Sequence, residues 1–178
     1  MKRAASFVFV FALLLVSFGV NKSVRAQEPL DGPHRPFKDE LLENLVGDWK
    51  LARQIRGQTV QNTVQVEWVL NHQFLRIHMK DAATPAQYEA MIFLGYDNAS
   101  DRYVIHWIDV FGGRFSETLG YGKRDGNSIK FIFEYPDGPF HNTFTWNAPD
   151  KSWTFLMEQK NKEGKWTTFA EDHLHRAK

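Results

Sequence analysis

Three side chains in the second half of the chain carry the types that handle a small molecule: His106, Glu117 and Asn142. An imidazole and a carboxylate form a proton-transfer pair when both reach one substrate. A carboxamide both donates and accepts hydrogen bonds, which suits it to orienting a polar end group. An ionised carboxylate in an apolar interior is costly unless a cation or donor meets it, so an inward Glu117 requires a partner. His106, on a diagonal to it, supplies one.

Whether these groups meet depends on turns. Lys123-Arg124-Asp125-Gly126-Asn127 reads as a three-residue hairpin loop with Gly126 left-handed, setting Tyr121 opposite Ile129 and Leu119 opposite Phe131. Pro136-Asp137-Gly138-Pro139 reads as a hairpin that sets Tyr135 opposite Phe140 and Phe133 opposite Asn142. Ala148-Pro149-Asp150-Lys151 sets Trp146 opposite Trp153, Phe144 opposite Phe155 and Asn142 opposite Met157. All three registers put the aromatics on one side of an antiparallel meander. With Gly112-Gly113 as a two-residue loop, Ile108 faces Glu117 and His106 faces Leu119, which carries His106 and Glu117 to that aromatic side. A three-residue loop instead turns Trp107 and Asp109 inward and His106 outward.

In the first arrangement His106, Glu117 and Asn142 orient the polar end of a ligand, while Phe131, Phe133, Phe144, Phe155 and Met157 hold its apolar body. The competing arrangement has the trio satisfy itself, with water, in a filled barrel that binds nothing. Glu117 with His106 also permits an isomerase or dehydratase type of proton transfer. No nucleophile sits in a strand-to-helix elbow, so the sequence carries no hydrolase signature.

Around this stretch the chain reads as strands: 48–56, 59–70, 73–80, 87–95, 102–110, 114–122, 128–135, 140–147, 152–159 and 165–175. Short strands at this spacing, joined by short loops, predict an all-β, up-and-down antiparallel barrel of about ten strands. One short amphipathic helix precedes them at 38–46, with Leu41, Leu42 and Leu45 on one side and Gly47 as its stop.

The N-terminus reads as an export signal. Met1-Lys2-Arg3 is basic, Phe7 to Val20 is apolar but short for a span, and Val24-Arg25-Ala26 offers a cleavage site before Gln27. The predicted domains are a signal peptide at 1–26, an extended lead-in at 27–37 and a barrel at 38–178, periplasmic or secreted and without a membrane span after cleavage. Cleavage removes four of the 22 basic residues and none of the 21 acidic ones, leaving a formal charge of −3. A mildly acidic protein with scattered charges lacks the electrostatic footprint for nucleic acid. With no cysteine anywhere, stability must come from the core.

Leu45-Val46-Gly47-Asp48-Trp49, Leu70-Asn71-His72-Gln73-Phe74-Leu75 and Leu94-Gly95-Tyr96-Asp97, followed by Tyr103-Val104 and Trp107-Ile108-Asp109, carry a resemblance. The chain resembles a bacterial family of lipocalin-like domains of unknown function, within the superfamily of calycin and fatty-acid-binding barrels. The likeness implies a barrel closed at its bottom by Trp49 and leaves the ligand open; Asn71-His72 stands where that family has a glycine pair. Nitrobindin-like haem barrels share the ten-strand plan and hold haem through a histidine on a late strand, where this chain has His173-Leu174-His175. Their glycine-rich continuation after the tryptophan is replaced here by Lys50-Leu51-Ala52-Arg53. A metal needs three or more convergent ligands, and His173 with His175 gives two. The expectation is no metal and no cofactor, with haem as the alternative, and a small apolar molecule as the partner. The oligomeric state is left open.

Overall fold

The structure, a computed structural model, describes residues 36–178. The predicted signal segment and the lead-in as far as Arg35 lie outside the described residues. Helix α1 (Glu40–Glu43) starts where Asp39 Oδ1 accepts from the backbone N–H groups of Leu41 and Leu42, at 2.9 and 3.1 Å. It is shorter than the 38–46 expected, because Asn44 already caps it and Gly47, at φ +122°, turns the chain into the first strand.

Ten strands follow: β1 (Gly47–Ile55), β2 (Gln58–Val69), β3 (Phe74–Asp81), β4 (Glu89–Asp97), β5 (Arg102–Asp109), β6 (Leu119–Asp125), β7 (Ser128–Tyr135), β8 (Gly138–Asn147), β9 (Ser152–Lys160) and β10 (Trp166–Arg176). Each pairs antiparallel with its sequence neighbours, and β1 pairs with β10 to close a barrel. Among the described residues, closure leaves no edge strand to recruit another chain. The up-and-down, all-β barrel with a short N-terminal helix is thus the fold, with nine of ten strands near their expected bounds.

The sixth strand is the exception. Residues 114–122 were expected to be extended throughout, but Gly113–Ser116 form a helical turn, α2, and β6 begins only at Leu119. His106 does pair with Leu119, as a two-residue glycine loop predicts, although the ladder stops there and never reaches Ile108 or Glu117. The hairpin at Gly126 closes one residue tighter than expected, with Asp125 opposite Ser128 and Tyr121 opposite Ile132. This register differs from the expected one by three residues, an odd number, and so turns β6 over. Leu119 and Tyr121 face outward, half-exposed, and Gly120 and Gly122 face inward.

The reason is volume. A Cβ on Gly120 would lie 2.6 Å from both Ile105 Cγ2 and Phe133 Cζ, and one on Gly122 would lie 2.8 Å from Phe131 Cδ1. The inner side of β6 is bare because the rings of β7 occupy its space. At the next hairpin Tyr135 pairs with Gly138 and Phe133 with Phe140. That is two residues from the expected register, an even shift that changes partners but preserves the face. The third expected register holds throughout: Trp146 opposite Trp153, Phe144 opposite Phe155 and Asn142 opposite Met157.

One end of the barrel is plugged. Leu41, Leu42 and Leu45 are buried against Trp49 and Trp153. The Trp49 indole donates to the Leu45 carbonyl at 2.7 Å, and Trp153 donates to the Asn44 carbonyl at 3.3 Å. The Tyr103 hydroxyl donates to the second carboxylate oxygen of Asp39, tying the cap of α1 to β5. Trp49 therefore closes the helix end, and the loops β1–β2, β3–β4, β5–β6, β7–β8 and β9–β10 gather at the other.

Candidate functional site

Between those five loops the barrel opens into a cavity of about 700 Å³. Period-two alternation decides which side chains reach it: Arg53 and Ile55 from β1, Val60 and Asn62 from β2, Trp107 and Asp109 from β5, Phe133 and Tyr135 from β7. Phe140, Asn142 and Met157 complete the far wall.

The polar wall is built around an ion pair. Arg53 and Asp172 stand opposite each other on β1 and β10, and Arg53 Nε and Nη2 each donate to a carboxylate oxygen at 2.7 Å. Asp172 is fully buried, so the fork is shielded from water. Burial alone would weaken the guanidinium's hold on its proton, but the bonds to Asp172 and its charge outweigh that and raise the Arg53 pKa. The guanidinium also lies over the Tyr88 ring, 5.3 Å from its centre.

Tyr88 is placed by its backbone. Asp81 Oδ2 accepts from the N–H groups of Gln87 and Tyr88, at 2.9 and 2.8 Å, pinning the β3–β4 loop. Asp81 Oδ1 accepts from Asn62 Nδ2 at 3.1 Å. The Tyr88 hydroxyl then accepts from the Trp107 indole at 3.1 Å and donates to Asp109 Oδ2 at 3.5 Å. Burial pushes the Tyr88 phenol pKa up, and the Arg53 charge partly offsets this. Tyr135, across the mouth, is also pushed up by burial, with Asp109 adding to the effect.

Two buried amide oxygens in this lining, Asn62 Oδ1 and Asn142 Oδ1, have no hydrogen-bond partner. The Asn62 amide is oriented by Asp81, which can only accept, so its free group is an acceptor. Native interiors leave few such atoms, and one that lines a cavity is a place for a ligand's donor.

The expected site residues separate accordingly. Glu117, Phe133, Asn142 and Met157 line the cavity, Glu117 at its mouth. Phe131, Phe144 and Phe155 are fully buried in the core, with Phe144 stacked on Phe155 at 3.7 Å, and are not part of the lining. Glu117 ends α2 and is exposed at the mouth. His106 faces outward, its Nε2 lying 2.6 Å from the Ser116 carbonyl oxygen. The trio is therefore not assembled: with β6 turned over, the outer side carries His106 and Leu119, and Trp107 and Asp109 point inward. A proton-transfer pair of His106 and Glu117 lacks its geometry.

His173 and His175 share the outer face of β10, opposite in direction to Asp172 and Leu174. Among the described residues no histidine lines the cavity, so the haem alternative has no axial imidazole there. No cluster of three or more metal-ligating side chains occurs among the described residues.

Sequence reasoning missed Arg53, Asp172, Tyr88 and Asn62. The signal was present in the alternation, since Arg53 shares its strand face with Trp49 and Leu51, and Asp172 shares one with Leu174. Opposite charges on the apolar faces of the first and last strands of a closed barrel should pair.

Fold and site together define a closed ten-stranded antiparallel barrel with a ligand-sized cavity at one end and a helical plug at the other. Residues 37–176 match the family described as "Protein of unknown function (DUF1579)", and the chain belongs to that family. No curated protein matches the chain.

Proposed function

We propose that the protein is an exported, lipocalin-like container that binds a small, mainly apolar molecule non-covalently in the open end of its barrel. The observation that carries this reading is the cavity of about 700 Å³ with unpartnered Asn62 and Asn142 amide oxygens in its lining. Its size falls within the range of about 300–1,000 Å³ typical of small-molecule sites. An apolar wall of Phe133, Tyr135, Phe140 and Met157 beside a set of polar side chains matches the division of labour in such sites. Export rests on the basic, apolar and cleavage-like segments of residues 1–26. Kinship with calycin barrels rests on strand order and on Trp49 at the closed end.

The test is native mass spectrometry of the protein purified from its own source, followed by solvent extraction of whatever dissociates. A discrete mass increment that is lost in a Phe140→Arg variant is the expected result. An unshifted apo mass, with no change on offering fatty amines, alcohols, acids and sterols, would overturn the reading.

A further inference from the structure

The cavity offers free hydrogen-bond acceptors, while several of its donors are already engaged. The Trp107 indole is engaged by Tyr88, the Tyr88 hydroxyl by Asp109, and the Asn62 amide nitrogen by Asp81. Arg53 gives Nε and Nη2 to Asp172, which neutralises its charge from a position with no solvent exposure. A guanidinium held in a fork by a buried carboxylate is a poor anchor for a second one, because the incoming anion meets a pair without net charge.

The acceptors remain. Asn62 and Asn142 are 2 % and 1 % exposed and their Oδ1 atoms are unpaired. Asp109 accepts one long bond from Tyr88 and one from the Phe111 N–H, which leaves lone pairs of its carboxylate unused. With Arg53 and Asp172 cancelling, Asp81 and Asp109 leave the inner wall acidic. The cations of the lining beyond Arg53 are Arg56, Arg114 and Lys160, all exposed at the rim, where solvent screens them. The Trp107 ring adds a face that attracts a cation, whereas the Tyr88 ring already carries Arg53.

Building on the container reading, we propose that the ligand's polar end is a hydrogen-bond donor, a protonated amine, and that the site discriminates against carboxylates. The ammonium meets Asp109 and the free amide oxygens, and its chain lies along Phe133, Phe140 and Met157.

Three probes of one chain length test this: dodecylamine, dodecan-1-ol and dodecanoate, each kept below its micellar concentration, titrated into the mature protein by calorimetry at neutral pH. The amine is expected to bind at least tenfold more tightly than the carboxylate, with the alcohol between them. Equal or tighter binding of dodecanoate overturns the donor assignment but leaves the container intact, whereas binding of none of the three overturns both. Asp109→Asn, isosteric and still able to accept from Phe111, should lower amine affinity about tenfold and change alcohol affinity less than twofold. Asn142→Leu provides a second variant should Asp109→Asn fail to fold; it should weaken amine and alcohol alike. An amine affinity unchanged in whichever variant folds would count against the assignment.

Discussion

Arg53 faces Asp172 directly across the ladder that joins the first strand to the last, and the two are held by a pair of 2.7 Å hydrogen bonds in the barrel interior. The residues are 119 positions apart. Their meeting depends on closure, and closure places a charged pair at the one seam that local hairpins do not form.

Removing one partner strands the other. Asp172→Ala should cost about 3–5 kcal/mol, since it leaves a buried guanidinium unpaired. The double change Arg53→Met with Asp172→Leu should recover most of that loss. Urea denaturation of the three variants measures it, and a double variant as unstable as the single one would contradict the account.

The inward glycines of β6 make a steric claim. Gly120→Val should destabilise by about 1–3 kcal/mol through overpacking against Ile105 and Phe133. Because Phe133 also lines the cavity, the same change should weaken ligand binding. Thermal melts alongside a binding titration give both numbers; a Tm equal to that of the parent would mean that β6 does not present Gly120 inward.

Tyr103 makes stability pH-dependent at the alkaline end. Burial, and then the bond to Asp39, raise its phenol pKa above the ordinary value. A raised folded-state pKa means that its contribution is fully present below the unfolded value of about 10 and is lost as pH rises through the higher folded value. Tm should therefore fall between pH 10 and 12. The fall should be shallower in Tyr103→Phe, with Tyr88 and Tyr135 supplying the remainder. Parallel pH–Tm curves for the two proteins would remove Tyr103 from this role.

Asn142 and His106 should behave oppositely. Asn142→Leu removes an unpaired buried polar group, so the ligand-free protein should gain about 1 kcal/mol while ligand affinity drops tenfold or more. His106→Ala should lose about 1 kcal/mol by freeing Ser116, with ligand affinity changed less than twofold. Calorimetric titration of both variants decides it, and a large affinity loss in His106→Ala would place that residue in the site after all.

The fold was legible because its signals are local. Turn residues and period-two alternation give strand bounds, and nine strands lie close to where they are read. The Pro149 hairpin was read correctly because its flanking tryptophans and phenylalanines leave one sensible pairing. At Gly126 two loop lengths are chemically acceptable, and side-chain apolarity chose wrongly: Leu119 and Tyr121 look like core beside Gly120 and Gly122. The candidate site inherits that error at His106, which reaches the inner side only if β6 does, whereas Asn142, Phe133 and Met157 depend on registers that keep the face and Glu117 still reaches the mouth.

By itself the sequence determined an all-β meander of ten strands, its aromatic side over β7 to β9, and the helix that plugs it, because each follows from spacing within a few residues. Only the tertiary structure decided which side of β6 is inside and which polar groups share the cavity. The space beside β6 is claimed by rings of Phe131 and Phe133 from the next strand. Arg53 meets Asp172 only once the last strand returns to the first. Both outcomes are set by volume and charge contributed from distant segments, which no local pattern encodes.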